Sequence, residues 1–370
     1  MKIKPFTCFL CAVTLILISL SPWLIMSYYE RNPEAIPYKG ILTLWHINDW
    51  RTGGSTAGSF LNKRIAEFEA DNAYLFIELQ TMTVSEAQKA LRNGETPDLI
   101  SYPLGFEFNL SLSSLPSRDI LFSYITDCAY PYMCGGYCML VNTDTLDEQG
   151  SLYPDDWGIR PDELLEITQY GVCFDSEDGY SALPAIALHQ YPTKEGPNIT
   201  TWGEPDLPDA ALDLSEAVCT DGLEAFCHRQ SCILVASHRQ LFEANQLYEQ
   251  GKSPAFSAYA ISGYTDMVQM VGVPSCDDIK KQMACTAFAE YLVSDTVQKK
   301  LEALGVFPVV SGLEIYTDNT CLKAVYRLLS KSPALPSPEN RQALDNLMKQ
   351  SFNGDADALK KIRGLLGAVF

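Results

Sequence analysis

Between Gly40 and Tyr102 the apolar residues fall into two alternating rhythms: short continuous runs, and runs at helical spacing. Gly40-Ile41-Leu42-Thr43-Leu44-Trp45 is a short apolar run with β-branched members and predicts a strand. A loop rich in Gly and Ser follows, from Asn48 to Ser55. Phe60, Leu61, Ile65 and Phe68 then recur at the helical period, with Lys63, Arg64, Glu67 and Glu69 between them, predicting an amphipathic helix. Tyr74–Leu79 predicts a second strand, and a second helix runs from about Val84 to Arg92. Ser85 is its expected N-cap and Asn93-Gly94 its stop. Pro97–Ser101 predicts a third strand. The βαβαβ order begins an open parallel sheet. Ligands of such sheets bind beyond the carboxyl ends of the strands, so Trp45–Ser55 and Ser101–Phe106 are expected to share a cleft rim.

Further along, Ala129-Tyr130-Pro131-Tyr132 precedes Gly135-Gly136-Tyr137 and Met139-Leu140-Val141-Asn142-Thr143-Asp144-Thr145-Leu146. Gly135-Gly136 before a strand supplies the backbone freedom that a chain crossing needs. Ser231–Ala236 predicts a strand, Gln240–Tyr248 a helix, and Ser262–Gln269 leads into Val271-Gly272-Val273. A long amphipathic helix then carries Ala284, Phe288, Ala289, Tyr291 and Leu292, and Ser294 caps a helix bearing Val297, Leu301 and Leu304. Three C-terminal helices are expected, around Cys321–Leu329, Glu339–Gln350 and Ala356–Leu366.

In their order and spacing, the Pro-Asp-Leu-Ile strand, the "PY…GGY…L…N.D.L" segment and the "F..YL.S…Q..L…G..PV" block resemble the extracellular solute-binding proteins of bacterial ABC importers. More narrowly they resemble family 1, which includes maltose-binding protein. The resemblance covers about residues 40–311 closely and the tail by order alone. It implies a periplasmic-binding-protein-like α/β fold with two lobes joined by hinge strands, here with an N-terminal transmembrane helix. The expected division is 40–130 with 263–306 as lobe 1, and 131–262 with 307–370 as lobe 2. The hinge crossovers are expected near 131–142, 255–263 and 306–312.

The N-terminus sets the compartment. Lys2 and Lys4 precede an apolar run from about Pro5 to Met26, roughly the ~20 residues that cross a bilayer. Cationic residues ahead of such a run hold the N-terminus in the cytoplasm and send the remaining chain outside. Residues 1–27 are therefore a signal anchor or a signal peptide, and 28–39, with Pro33 and Pro37, a linker. No small-x-small cleavage pattern follows Ser21-Pro22-Trp23, and Cys8 and Cys11 lie at the wrong end of the run for a lipoprotein site. Ten cysteines lie beyond it, consistent either with disulfides or with small buried thiols.

Net charge of −19 leaves no basic footprint for nucleic acid. Hydrophobic content of 47% with 20% charged residues is that of a globular chain, and 370 residues suffice for two cores. The sequence holds no Gly-x-Ser-x-Gly elbow, no Walker loop and no His-Glu-x-x-His, and no Cys-x-x-Cys pair beyond Cys8 and Cys11 of the apolar run, so no cofactor, metal or enzymatic activity is expected. Binding chemistry is better represented: Trp50, Tyr102, Tyr264 and Trp202 offer faces for a sugar, and Arg51 and Asp98 offer charge for its hydroxyls. Trp50, Arg51 and Trp202 read equally as loop packing, and Asp98 as a residue that caps or orients its strand end. Trp45, by contrast, ends an apolar strand and is expected in the core, and Gly53-Gly54-Ser55 is read either as backbone donors or as a tight turn.

The resemblance implies capture of a small polar solute, most plainly a sugar or oligosaccharide, by a monomer that delivers it to a membrane permease. Two other roles fit the same residues: a ligand sensor facing a membrane signalling partner, and an extracellular hydrolase with paired carboxylates across the cleft. The solute-binding reading also expects the two halves to face each other over a solvated gap in the open state.

Overall fold

The computed structural model describes residues 36, 38–123, 125–146, 158–159, 171–175, 193–195, 198–201, 218–219, 221–261 and 265–330, with 346–347, 350, 355, 357–358 and 360–361 in the tail. The N-terminal apolar run, Trp202, Tyr264 and most of the two last expected helices lie outside these residues. Among the described residues no helix is long and apolar enough to cross a membrane.

The βαβαβ unit forms as its periodicity predicts. Strand β1 (Gly40–Asn48), helix α1 (Ala57–Asp71), β2 (Leu75–Thr83), α2 (Val84–Arg92) and β3 (Leu99–Pro103) follow in that order. The strands of the unit are parallel, with Gly40 opposite Leu75 and Leu44 opposite Leu99. Helix α1 buries Phe60, Leu61, Ile65 and Phe68, each removing apolar surface worth about 1.5–3 kcal/mol. Its N-cap is Thr56, whose hydroxyl accepts from Ser59 N. The N-cap of α2 is Thr83 rather than Ser85: Thr83 and Glu86 form a reciprocal capping box, satisfying two end donors at once. Asn93 and Gly94 (φ +82°) stop it as expected.

After β4 (Ala129–Cys134) the chain enters β5 (Tyr137–Asn142), the short helix α3 (Thr143–Leu146), and strands β6 (Gly158–Ile159), β7 (Val172–Asp175), β8 (Thr193–Glu195), β9 (Asn198–Thr201) and β10 (Val218–Cys219). Helix α4 (Gly222–Cys227), β11 (Ile233–Ser237), α5 (His238–Glu249), β12 (Phe256–Ile261), β13 (Val268–Gly272), α6 (Ile279–Leu292) and α7 (Asp295–Gln298) come next. A 3-10 helix (Lys299–Leu304) and α8 (Thr320–Leu329) complete the regular elements.

Two sheets organise most of these strands, a five-stranded one ordered β2-β1-β3-β13-β4 and a six-stranded one ordered β10-β7-β11-β5-β12-β6, while β8 and β9 pair only with each other. In the first sheet β13 runs antiparallel between β3 and β4, so chain from beyond the second sheet returns to complete the first. Ser294 stands at the N-cap of α7, but its hydroxyl donates back to Tyr291 O at 2.7 Å and makes no capping bond, and the helix expected to run on from it tightens to 3-10 after one turn. Gly305, at φ +69°, ends that segment in the left-handed conformation.

The chain passes between the sheets at three places, and the three passages are bonded to one another. Cys134 and Phe307 exchange backbone hydrogen bonds (3.1 and 2.8 Å), and Gly135 N donates to Met267 O at 2.7 Å. Thr265 Oγ1 donates to Gly135 O, and the buried Tyr137 hydroxyl donates to Asp266 Oδ1 at 2.8 Å. Gln298, fully buried, ties the same region together: its amide donates to Tyr132 O and Leu292 O and accepts from Val309 N. Gly135 is required sterically, because a Cβ there would run into the His238 ring. Cys134, Cys138, Cys173 and Cys285 are buried free thiols, and burial pushes the Cys285 thiol up to about 12, whereas the free thiols Cys128, Cys227, Cys232, Cys276 and Cys321 are at least partly open to solvent.

Candidate solute site

The carboxyl ends of β1 and β3 lie side by side, and the loop after β1 carries Asp49, Trp50 and Arg51 outward from them. Opposite this loop stands the N-terminus of α5, whose first residue is His238. Ser237 caps that helix with a capping box to Gln240, fixing where His238 leaves the backbone. Trp50 and His238 meet edge to face, ring centroids 5.6 Å apart and 78° between planes, and His238 lies 6.0 Å from Phe307. His238 Nδ1 accepts from Gly136 N at 3.3 Å. One turn along α5, Phe242 lies so close to Gly53 that a Cβ at Gly53 would stand 2.8 Å from it.

At this point the expected solvated gap is replaced by direct contact, and the buried apolar residues of both sheets form one continuous cluster. The physical reason is local: all three passages bring the sheets together beside Phe307, and Trp50 and Phe242 fold over them. Trp50 is accordingly buried, with its indole N–H unpartnered among the described residues. Such a donor costs about 1–3 kcal/mol while it stays unpaired.

The other sequence candidates separate. Arg51 is exposed on the same loop and has interactions of its own. Tyr102 is near the carboxyl end of β3 but turned inward, edge to face with Phe108 at 4.9 Å, and burial raises its hydroxyl pKa. Asp98 lies at the amino end of β3, away from the cleft rim. Its Oδ2 accepts from Thr43 N at 2.9 Å and from Thr43 Oγ1, while Oδ1 pairs with Lys281. The hydrogen bond to Asp98 in turn holds the Lys281 ammonium above its usual pKa. Those bonds occupy the carboxylate in pinning β1 to β3, the strand-end role that its sequence position also allowed. A cavity of about 220 Å³ opens beside it, lined in part by Thr96, Asn109, Ser111, Ser275 and Cys276, also at that far end. Trp202 and Tyr264 fall outside the described residues.

Trp45 is buried in the core as its strand predicts. The Gly53-Gly54-Ser55 segment is a tight turn: Gly54 N donates to Leu304 O at 2.8 Å, so that donor is taken, and Thr52 Oγ1 donates to Ser55 O. Sequence reasoning missed His238 and Phe242. The signal available was an apolar strand ending in Ser237 with Gln240 three residues on, which marks a helix start at a strand end. Beneath the site a buried polar network joins four strands. His46 Nδ1 bonds Ser101 Oγ at 3.0 Å, Ser101 Oγ bonds the Tyr132 hydroxyl, and Gln269 Nε2 donates to Ser101 Oγ and Ile47 O. No group of potential metal ligands occurs among the described residues.

Together the two sheets, the three bonded passages and a site where strand ends meet a helix N-terminus define the fold of the extracellular solute-binding proteins of ABC importers. No protein-family model and no curated protein sequence matches the chain. Solved structures do match. The cyclic α-maltosyl-1,6-maltose binding protein of Arthrobacter globiformis is 14% identical, with a TM-score of 0.63, covering 90% of this chain and 99% of its own. The GacH receptor of Streptomyces glaucescens, solved unliganded and with acarbose, is 16% identical with a TM-score of 0.62, covering 90% of this chain and 97% of its own. An ABC substrate-binding protein of Listeria monocytogenes in complex with cycloalternan is 15% identical with a TM-score of 0.61, covering 90% and 98%.

Proposed function

We propose that this chain captures a small polar solute, a sugar or oligosaccharide, outside the cytoplasmic membrane and presents it to an ABC-type permease. The observation that carries the reading is the opposition of Trp50, on the loop after β1 that also bears Arg51, to the N-terminus of α5 beside the three bonded passages. It is supported by the saccharide ligands of structures that share the fold, and by proteins of that fold being named as binders and not as enzymes. The lobes are 40–130 with 263–306 and 131–262 with 307–370, turning about the crossovers near 131–142, 255–263 and 306–312. Trp50 and Arg51, with Tyr264 and Trp202, are the ligand contacts, and His238 joins them from the facing lobe. The monomer is held to the membrane through residues 1–27.

Closure follows from differential affinity. A hydroxylated guest that gives the buried, unpaired indole donor of Trp50 a partner and contacts both rims favours the closed state over the open one. Thermal-shift screening against linear and cyclic oligosaccharides tests this. A guest at one hundred times its dissociation constant adds about 2.7 kcal/mol, and the melting temperature is expected to rise by about 5–10 °C. A panel of saccharides that leaves it unmoved would contradict the reading.

A further inference from the structure

The amino end of β1 and its neighbour β2 present an apolar corner that no described element covers. Strand β2 is the edge of its sheet, and Ile41 pairs in register with Phe76, so both side chains stand on one face. Ile41 is 63% exposed, Phe76 55% and Tyr74 62%. Tyr74 sits next to them, bonded through its carbonyl to Gly40 N, in a left-handed conformation (φ +71°) that turns an aromatic ring outward. The Lys39 ammonium lies 4.9 Å from the Tyr74 ring centroid. Burying these side chains is what a sheet normally does with them, and Glu78 on the same face marks where the apolar surface stops.

We infer that this corner rests in the lipid headgroup layer of the membrane to which residues 1–27 tether the chain. The inference rests on the tether proposed above. Aromatic rings with an adjacent lysine are the side chains that settle at that depth, ring inward and ammonium in the headgroups. The placement follows from chain length. The apolar run ends at Met26 and Gly40 begins β1, so the 13 residues between them reach at most about 45 Å. Ile41 is the next residue, and so short a tether gives the corner a millimolar-scale effective concentration at the bilayer. A second copy of the chain fits the surface poorly. Three side chains fall well short of the ~1,200 Å² that a stable dimer buries, and two chains of charge −19 repel.

This geometry has an orientational consequence. The corner is at the amino end of the strands, and the site is at their carboxyl ends, so with the corner on the lipid the site faces the medium. The contact is thus a parked orientation suited to capture, and it must release before solute is handed to a permease.

The test uses the full chain in nanodiscs of phosphatidylcholine with a minority of phosphatidylglycerol. The photoreactive p-benzoylphenylalanine replaces Phe76 in one variant and Tyr248, an exposed residue on α5, in another. Irradiation and intact-mass analysis read lipid adducts, and carbonate extraction reads the tether. The expected result is retention in carbonate with lipid adducts from position 76 about tenfold above those from position 248. Release by carbonate would overturn the tether and this inference together. Retention with equal adducts at both positions, or cross-links from position 76 to a second copy or to residues 1–35, would overturn this inference alone, and saccharide-induced thermal shifts would be unaffected.

Discussion

Lowering the pH from 7 to 4 is expected to cost the folded chain about 3 kcal/mol through His46 alone. His46 sits on β1, 1% exposed, with Nδ1 bonded to Ser101 and Nε2 unpartnered among the described residues. Burial lowers its pKa from 6.5 to about 4, because the imidazolium loses its hydration there and gains no counter-charge. The folded value lies below the unfolded one, so as the pH falls the unfolded chain takes up the proton first. The stabilisation is complete above about pH 6.5 and disappears as the pH drops through the window down to about 4. Urea unfolding at pH 7 and pH 4 measures it. Other groups titrate in the same range, so His46→Gln is the control: it keeps a polar partner for Ser101 but carries no titrating ring. The wild-type chain should lose about 3 kcal/mol more than the variant over this interval, and equal losses would show that His46 is solvated.

Gly54→Ala is expected to damage fold and site together. A Cβ at Gly54 runs into the carbonyl oxygen of Ala303, which is backbone and cannot rotate away. The loop must move, and with it goes the hydrogen bond from Gly54 N to Leu304 O. Forced insertion of this kind typically costs about 1–3 kcal/mol. The same displacement shifts Trp50 and Gly53 relative to His238 and Phe242, so saccharide affinity should fall about tenfold, by the tolerance that a preorganised site allows. Urea midpoints and calorimetric titration measure the two effects. An alanine variant with native stability and native affinity would show that the loop has no fixed position.

The first sheet was legible because its elements are local. Leu42 and Leu44 in a short apolar run, and Phe60, Leu61, Ile65 and Phe68 at helical spacing, state their own structure, and the structure has them buried. The misplaced N-cap at Ser85 was also a local question, and the Thr83–Glu86 box decides it by satisfying one more donor. Site residues were legible only as far as the loop that carries them. Trp50 was singled out because a polar loop gave it no evident core role, yet it is buried against His238, which comes from a helix far along the chain, and no spacing rule reports that meeting. Asp98 shows the converse, with two readings that the sequence leaves open. A carboxylate at a strand end looks the same whether it binds a hydroxyl or pins two strands, and only the arrival of Thr43 and Lys281 from distant segments separates the two. The His46, Ser101, Tyr132 and Gln269 network was invisible for the same reason, since its four members come from four strands.

The solute-binding reading depends most on closure: a guest held by both rims must draw the two lobes together. Small-angle X-ray scattering on the full chain in detergent, with and without a saturating oligosaccharide from the thermal panel, measures that directly. The radius of gyration is expected to fall by about 1 Å or more on binding, the signature of hinge closure between packed lobes. An unchanged radius with a bound, stabilising saccharide would mean that the lobes do not move, and would contradict it.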